Sequence, residues 1–364
     1  MTEPKTSPLA GDFMPPEPDT AAAPKLVIVT GSGRSGTSTI SGTLKKLGFY
    51  VPQPEVKADS SNPRGFFEPR WAVDFHKKVL HEAAVRTLDA RPEAAELVRR
   101  VTSRADLKKE LKDWFATQLE GPQIVVKDPR TFWLRELWVD VASELGVTPS
   151  FLTMLRHPTE VVASRDMHYL KTADAERRLA RETGNIAGWV NVALTNERVT
   201  RGDQRTFVHY TDLITDWRQT MAEVARQLDV SYDYDVTSTE HHEVDDFIDV
   251  SLRRAQLTWD DIDVPDNLRE VADTVWQSLD ALSKNPADAD AAARLDAMRD
   301  EYDQLHTHAV ALTQDHTNSA IEATRKQVRR RVTKELQQQM AAQQPPPTIP
   351  RRIVRKLRAV RAGR

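Results

Sequence analysis

Apolar residues fall along this chain in short blocks separated by longer amphipathic stretches. The first block is Leu26–Val29, opened by Lys25 and closed by Thr30 and Gly31. Apolar residues at successive rather than alternate positions predict a strand covered on both faces, as in a parallel sheet. Three more blocks read the same way: Gln123–Val126, the stretch "TPSFLTML" ending at Leu155, and "RTFVHY" at 205–210. Between them the spacing predicts helices over Gly36–Leu47, over a charged stretch from Trp71 to Leu119, over Trp133–Leu145, from Pro158, and over Asp216–Leu228. Gly48 stops the first of these. Strands alternating with helices predict an α/β fold around a central parallel sheet.

Beyond about residue 235 no further strand–helix unit is evident. Leu295, Met298, Tyr302, Leu305, Ala309 and Leu312 recur at alternating spacings of three and four. That is a heptad seam. It predicts a C-terminal helical extension, either packed on its own domain or self-associating through residues 295–340. The expected divisions are a disordered segment at 1–24, a main domain at 25–285, a helical extension at 286–340, and a Pro-rich break with a basic tail at 341–364.

Composition narrows this. The chain of 364 residues has no cysteine, which excludes disulfides and thiolate metal sites. Residues 1–24 contain no apolar core of a signal peptide. No run approaches the roughly 18 apolar residues of a membrane span. A cytoplasmic protein is expected. Charge is uneven. Residues 321–364 hold thirteen Lys/Arg against Glu322 and Glu335, a balance of +11, so residues 1–320 carry −14 of the net −3. A basic tail suits an anionic partner, including a peripheral membrane surface, or is simply solvated.

The chemistry starts at "GSGRSGTS", residues 31–38. Gly31 and Gly36 have the G-x-x-x-x-G spacing of a P-loop, which presents backbone N–H groups and a helix N-terminus to phosphate. The backbone of Ser32, Gly33, Arg34, Ser35 and Gly36, and the hydroxyls of Thr37 and Ser38, form the candidate cradle. The P-loop lysine is missing, and Arg34 is the one cation of the turn. A nucleoside triphosphate held through Mg²⁺ needs the Lys-[Ser/Thr] pair. A single 5′-phosphate bearing one transferable group needs only a cation near the bridging oxygen, which Arg34 can supply.

These residues resemble the 5′-phosphosulfate loop of sulfotransferases that use 3′-phosphoadenosine 5′-phosphosulfate (PAPS). The R-S-G-T-[ST] core is the form of the bacterial carbohydrate and tyrosylprotein branch. The resemblance implies a P-loop-like three-layer fold and sulfuryl transfer without metal. It implies a 3′-phosphate site at Arg156 and Ser164 of "LRHPTEVVAS", where the arginine fork suits a phosphate. It also gives Lys127 of "VVKDPR" the task of stabilising charge on the transferring group, at the strand edge where open α/β sheets bind ligands. Asp128 beside it fits two other readings, a Mg²⁺-holding aspartate of a kinase or a local partner of Lys127 or Arg130.

The resemblance implies a base for the acceptor hydroxyl, and two glutamates compete. Glu55 stands 21 residues after Arg34, near the tyrosylprotein separation. Glu68 closes "SNPRGFFEP", which is similar to the N-P-x-G-[FYW]-[FW]-E stretch of many bacterial members. Two preceding aromatics can desolvate Glu68 and raise its pKa, so Glu68 is favoured. His76 and His81 read as polar residues of a helix face. Tyr210 of "VHYTDLITD" resembles the tyrosine of a Y-E-D-L stretch, with Thr211 in place of the acidic residue. Its ring borders the donor site or belongs to the core. The resemblance spans about residues 25–230. The expected activity is transfer from PAPS to a hydroxyl of a glycan, glycolipid or small metabolite. The alternatives are a kinase of small molecules using Mg·ATP and a non-catalytic nucleotide-binding scaffold.

Overall fold

The computed structural model describes residues 24–60, 62–166, 174–249 and 257–343. The expected disordered segment, apart from Pro24, and the tail beyond Gln343 lie outside these residues.

Four strands form one sheet: β1 (Lys25–Thr30), β2 (Gln123–Lys127), β3 (Thr148–Leu155) and β4 (Arg205–His209), in the order β2-β1-β3-β4. Every pairing is parallel, with Val27 opposite Val125 and Ser150, and Phe151 opposite Arg205. This is an α/β, P-loop-like fold. Side chains alternate across the sheet, so β1 feeds two cores. Leu26 and Ile28 pack with Ile124, Val126 and Phe151 under α2 (Arg70–Glu82), α3 (Ala94–Thr102), α4 (Ala105–Ala116) and α5 (Arg135–Glu144). Val27 and Val29 pack with Val125, Leu152 and Val208 under α1 (Thr37–Lys46), α8 (Tyr210–Thr215) and α9 (Trp217–Leu228). A third core joins Leu155 and Phe207 to α6 (Pro158–Asp166), α7 (Ala175–Thr200), α11 (Asp266–Lys284) and the start of α12 (Ala289–Gln343). The short α10 spans Glu243–Phe247.

The charged stretch expected to be helical from Trp71 to Leu119 holds three helices, α2, α3 and α4. The turn after α2 uses Ala84 at φ +52°, and Asp89 inside the loop accepts from the backbone N–H groups of Arg86 and Arg91. Helix α7 was not legible as one. Its inward face carries Glu182, Asn191, Asn196 and Glu197, all buried, so the apolar period is broken.

The chain divides into two units, one through His306 and one from Thr307. Within the first, Leu295 and Tyr302 of the heptad seam are buried, with Met298 and Leu305 against the same core. The Tyr302 hydroxyl bonds the carbonyls of Ala90 and Ala187. Those four positions are therefore packed within their own domain. In the second unit the helix is exposed, including Leu312, Ile321, Val328 and Leu336. Among the described residues, no helix is long and apolar enough to cross a membrane.

One buried ion pair fastens the third core to the sheet. Arg205 Nη1 donates to Glu197 Oε1 at 3.0 Å, and Arg205 Nη2 donates to the Pro286 carbonyl at 3.0 Å. Glu197 also receives Arg201 Nη2 at 2.7 Å. Removing one member of such a pair leaves the other charge buried alone. Glu197→Ala is expected to cost about 3–5 kcal/mol in urea unfolding. A loss below about 1 kcal/mol, the range of an exposed pair, would show that solvent reaches the arginine.

Candidate active site

Because all four strands run the same way, their carboxyl ends meet at one edge. β1 ends in the glycine turn, β2 at Lys127, β3 just before Arg156, and β4 just before Tyr210. A cavity of about 340 Å³ opens there. Gly33, Arg34, Gly36, Thr37, Ser38, Glu68, Lys127, Arg156, Ser164 and Tyr210 all line it. Five motifs spread over 178 positions of sequence thus converge on one space.

The turn is shaped by its glycines. Gly31 has φ +126°, and a Cβ there would stand 2.7 Å from the Met154 carbonyl oxygen. Gly36 has φ +97°, and its Cβ would stand 2.3 Å from the Tyr210 ring. Arg34 itself adopts φ +77°. Gly36 is the N-cap of α1 and offers no side chain to the first-turn amides. Those amides face the cavity end of the helix, where an anion is favoured.

Ser32 and Ser35 are not on the cavity. The Ser35 hydroxyl is fully buried and donates to the Ser32 carbonyl at 2.7 Å, which braces the turn from inside. Arg34 Nε donates to Ser164 Oγ at 3.0 Å, and the Arg34 carbonyl accepts from Arg156 Nη1 at 3.1 Å. Arg156 is held further by Glu160, with Nε to Oε2 at 3.0 Å, and its guanidinium lies 4.9 Å from the centre of the Tyr210 ring. Tyr210 is thus both core and cavity wall. The R-x-P-x-x-x-x-x-S spacing works because Pro158 starts α6, and two turns of helix bring Ser164 back over the strand end.

Lys127 is the hub. It is almost fully buried, and its ammonium donates to Glu68 Oε1 at 2.5 Å, Ser38 Oγ at 3.1 Å and the Phe66 carbonyl at 3.3 Å. Ser38 Oγ also accepts from Asn62 Nδ2 at 3.1 Å. With both lone pairs used, its own O–H is left to donate. Burial pushes the Glu68 carboxyl above its ordinary value. Lys127 pulls it down, the Asp128 carboxylate pushes it up, and the net direction is upward.

Glu55 is elsewhere. It pairs with Lys45, accepts from Gln53 Nε2 at 2.9 Å, and does not line the cavity. Asp128 also faces away. It is fully buried, with Oδ1 accepting from the Arg130 backbone N–H and Oδ2 bonded to His76 Nδ1. Burial works against the Asp128 carboxylate, but the His76 and Arg130 bonds outweigh it and its pKa is lowered.

Sequence reasoning missed Asn62, Arg64 and Phe66 as lining residues, although all three stand in the segment that singled out Glu68. It also passed over His76. The available signal was position: Ala72, Val73, Phe75, Val79 and Leu80 are the buried face of α2, and His76 falls among them. A larger cleft of about 650 Å³ lies along β4, α8, α9 and α11; Thr211 of the "VHYTDLITD" stretch lines it, but none of the candidate site residues does.

The model of the sulfotransferase family matches residues 24–234. No curated protein matches. Similar solved structures include three sulfotransferase structures. The sulfotransferase domain of the Synechococcus PCC 7002 olefin synthase is 16% identical, with 72% of this chain and 97% of that chain covered and a TM-score of 0.40. The sulfotransferase domain of the curacin biosynthetic pathway is 13% identical, with 59% and 77% covered and a TM-score of 0.33. Sulfotransferase STF1 from Mycobacterium tuberculosis H37Rv is 16% identical, with 64% and 76% covered and a TM-score of 0.33. The glycine turn, β2 with Lys127, β3 with Arg156, and Tyr210 all fall inside the matched span, and the chain belongs to the sulfotransferase family.

Proposed function

We propose that this protein transfers the sulfuryl group of PAPS to a hydroxyl. The observation that carries the reading is the charge of one cavity: Arg34, Arg64, Lys127 and Arg156 line it, and among the described residues Glu68 is the one carboxylate facing them. A polyanionic donor suits that lining. Lys127 reaches Ser38 at the helix end of the glycine turn and Arg156 reaches the Arg34 carbonyl within it, which suits a donor with separate 5′- and 3′-phosphates. Ser60, Asn62 and Arg64 line the same cavity and make that part of it polar, which supports a hydroxyl-rich acceptor such as a glycan, glycolipid or polar metabolite.

The roles are those the family resemblance implies, and the geometry supports them. The turn amides and the Ser38 O–H hold the 5′-phosphate, and Arg34 stands by the bridging oxygen. Arg156 and Ser164 hold the 3′-phosphate. Fixed cations aimed at the developing charge need no reorganisation during the step. The acceptor oxygen loses its proton to Glu68 and forms the new bond to sulfur. The bond from sulfur to the bridging oxygen breaks, and that oxygen leaves as phosphate.

Lys127 ties donor binding to the base. Its three N–H bonds are already used by Glu68, Ser38 and Phe66. To touch a donor oxygen it must release one of them. Releasing Glu68 leaves a buried carboxylate without its counter-charge, which strengthens it as a base. Asp128 stands apart from this step, since its oxygens are bonded to His76 and Arg130. That placement gives no support to an Asp128-held Mg²⁺.

Isothermal titration tests the donor. Tight binding of 3′,5′-ADP without Mg²⁺ is expected, weakened at least about tenfold in Arg156→Ala. Binding of Mg·ATP alone would overturn the reading in favour of a kinase. Transfer of labelled sulfate from PAPS into a cell extract then identifies the acceptor. Glu68→Gln is expected to lower kcat by about 10² or more, whereas Glu55→Gln leaves it within about threefold. The sign for pH is set by the raised Glu68 pKa: the base is lost as pH falls through it. The acid limb of kcat/KM therefore lies above the ordinary carboxylate value of about 4.3, and Glu68→Gln removes it. Gly36→Ala is expected to abolish 3′,5′-ADP binding, because the added carbon drives into Tyr210. Unchanged affinity would show that the turn relaxes.

A further inference from the structure

Directly behind the Lys127–Glu68 pair lies a second polar group, fully enclosed in apolar core. Trp138, His76 and Asp128 each have no exposed surface. Trp138 Nε1 is only a donor, and it stands 2.9 Å from His76 Nε2. That bond makes Nε2 the acceptor, so the proton of the ring sits on Nδ1 and is donated to Asp128 Oδ2 at 2.8 Å. Asp128 further accepts from the Arg130 backbone N–H at 3.0 Å and from Arg130 Nη1 at 2.7 and 2.9 Å. Its carbonyl accepts from the Thr131 N–H at 3.0 Å and the Thr131 hydroxyl at 2.9 Å. Apart from the Trp138–His76 bond, every bond of this chain is made to Asp128, which follows Lys127 at the corner where β2 meets the cavity.

An enclosed polar chain of this kind costs stability unless each group is satisfied. All three members are, in one direction from indole to imidazole to carboxylate. The neighbouring apolar rings, Phe75 and Phe115, pack against His76 and Trp138 and offer no alternative partner. The titratable groups facing this corner are His76 from α2, Lys127 at the end of β2, Arg130 just after it, and Glu68 from the loop before α2. Thr87 of the loop after α2 accepts from Arg130 Nε at 3.2 Å and keeps that guanidinium turned toward Asp128.

We infer that Trp138, His76 and Asp128 act as positioning residues for proton removal. They lock the corner that aims Lys127, and they hold a fixed negative charge beside Glu68. The inference rests on the reading of Glu68 as the base. His76 touches no part of the cavity lining, and it acts only through Asp128. The carboxylate that resembled a Mg²⁺ ligand in sequence becomes the buried charge that tunes the base.

The test uses the full chain and four variants. His76→Leu removes the donor to Asp128, and His76→Asn restores an N–H at the Nδ1 position. Asp128→Asn removes the charge, and Trp138→Phe removes the indole donor while keeping most of the volume. His76→Leu and Asp128→Asn are expected to lower kcat about tenfold or more with the KM for PAPS within about threefold. In Asp128→Asn the acid limb of kcat/KM moves to lower pH, since a neighbouring negative charge is gone. His76→Asn is expected to recover most of kcat and the wild-type limb. Imidazole nitrogen resonances of the wild type are expected to show the Nδ1–H tautomer, and to lose that preference in Trp138→Phe. An Nε2–H tautomer in the wild type, which does not depend on any variant folding, would overturn the chain. So would a kcat and acid limb unchanged in His76→Leu and Asp128→Asn, with transfer by the wild type intact. If the wild type transfers nothing from PAPS, the reading of Glu68 as base fails first and takes this inference with it.

Discussion

A charged ammonium buried at the end of a strand organises this molecule. Taking Lys127 out of water costs several kcal/mol unless its charge and its three protons are answered. The answers come from far along the chain: Ser38 from the first turn of α1, and Phe66 and Glu68 from the loop before α2. Meeting that requirement draws the loop of residues 62–68 across the strand ends. Asn62 completes the closure by bonding both Ser38 and the Gly65 carbonyl. The cavity therefore has a wall because Lys127 needs partners.

The glycine turn obeys a different constraint, which is space. Gly31 meets the backbone of β3 and Gly36 meets the Tyr210 ring, each closer than a side chain allows. The turn is thus wedged between β3 and α8, and Arg34 is carried outward over the cavity in a backbone conformation that few non-glycine residues adopt. Arg156 then reaches back to the Arg34 carbonyl, so the two proposed phosphate sites are mechanically joined. Such strain is stored where surrounding structure over-determines it.

Much of this was legible. All four strands could be read because parallel strands buried on both faces are near-continuous apolar runs, and the turn and the Arg156–Ser164 spacing follow local rules of helix and loop. Helix α7 could not be read, because Glu182, Asn191, Asn196 and Glu197 interrupt its apolar core-facing side, and partners such as the Asp89 carbonyl and Thr153 are remote in sequence. Of the two readings left open for the heptad seam, its first four positions take the packing on their own domain.

The sequence by itself determined the fold class, the turn, and the residue types that face an anion, since each depends on neighbours within a few positions. Only the tertiary structure showed that Glu68 lines the cavity while Glu55 does not, and placed Asp128 behind the cavity rather than on it. The choice between two carboxylates is a matter of which one is desolvated next to which cation. Glu68 meets Lys127 across 59 positions of chain, while Glu55 finds Lys45 on the outside. Burial and charge pairing of that kind arise from packing over long separations, and no local pattern encodes them.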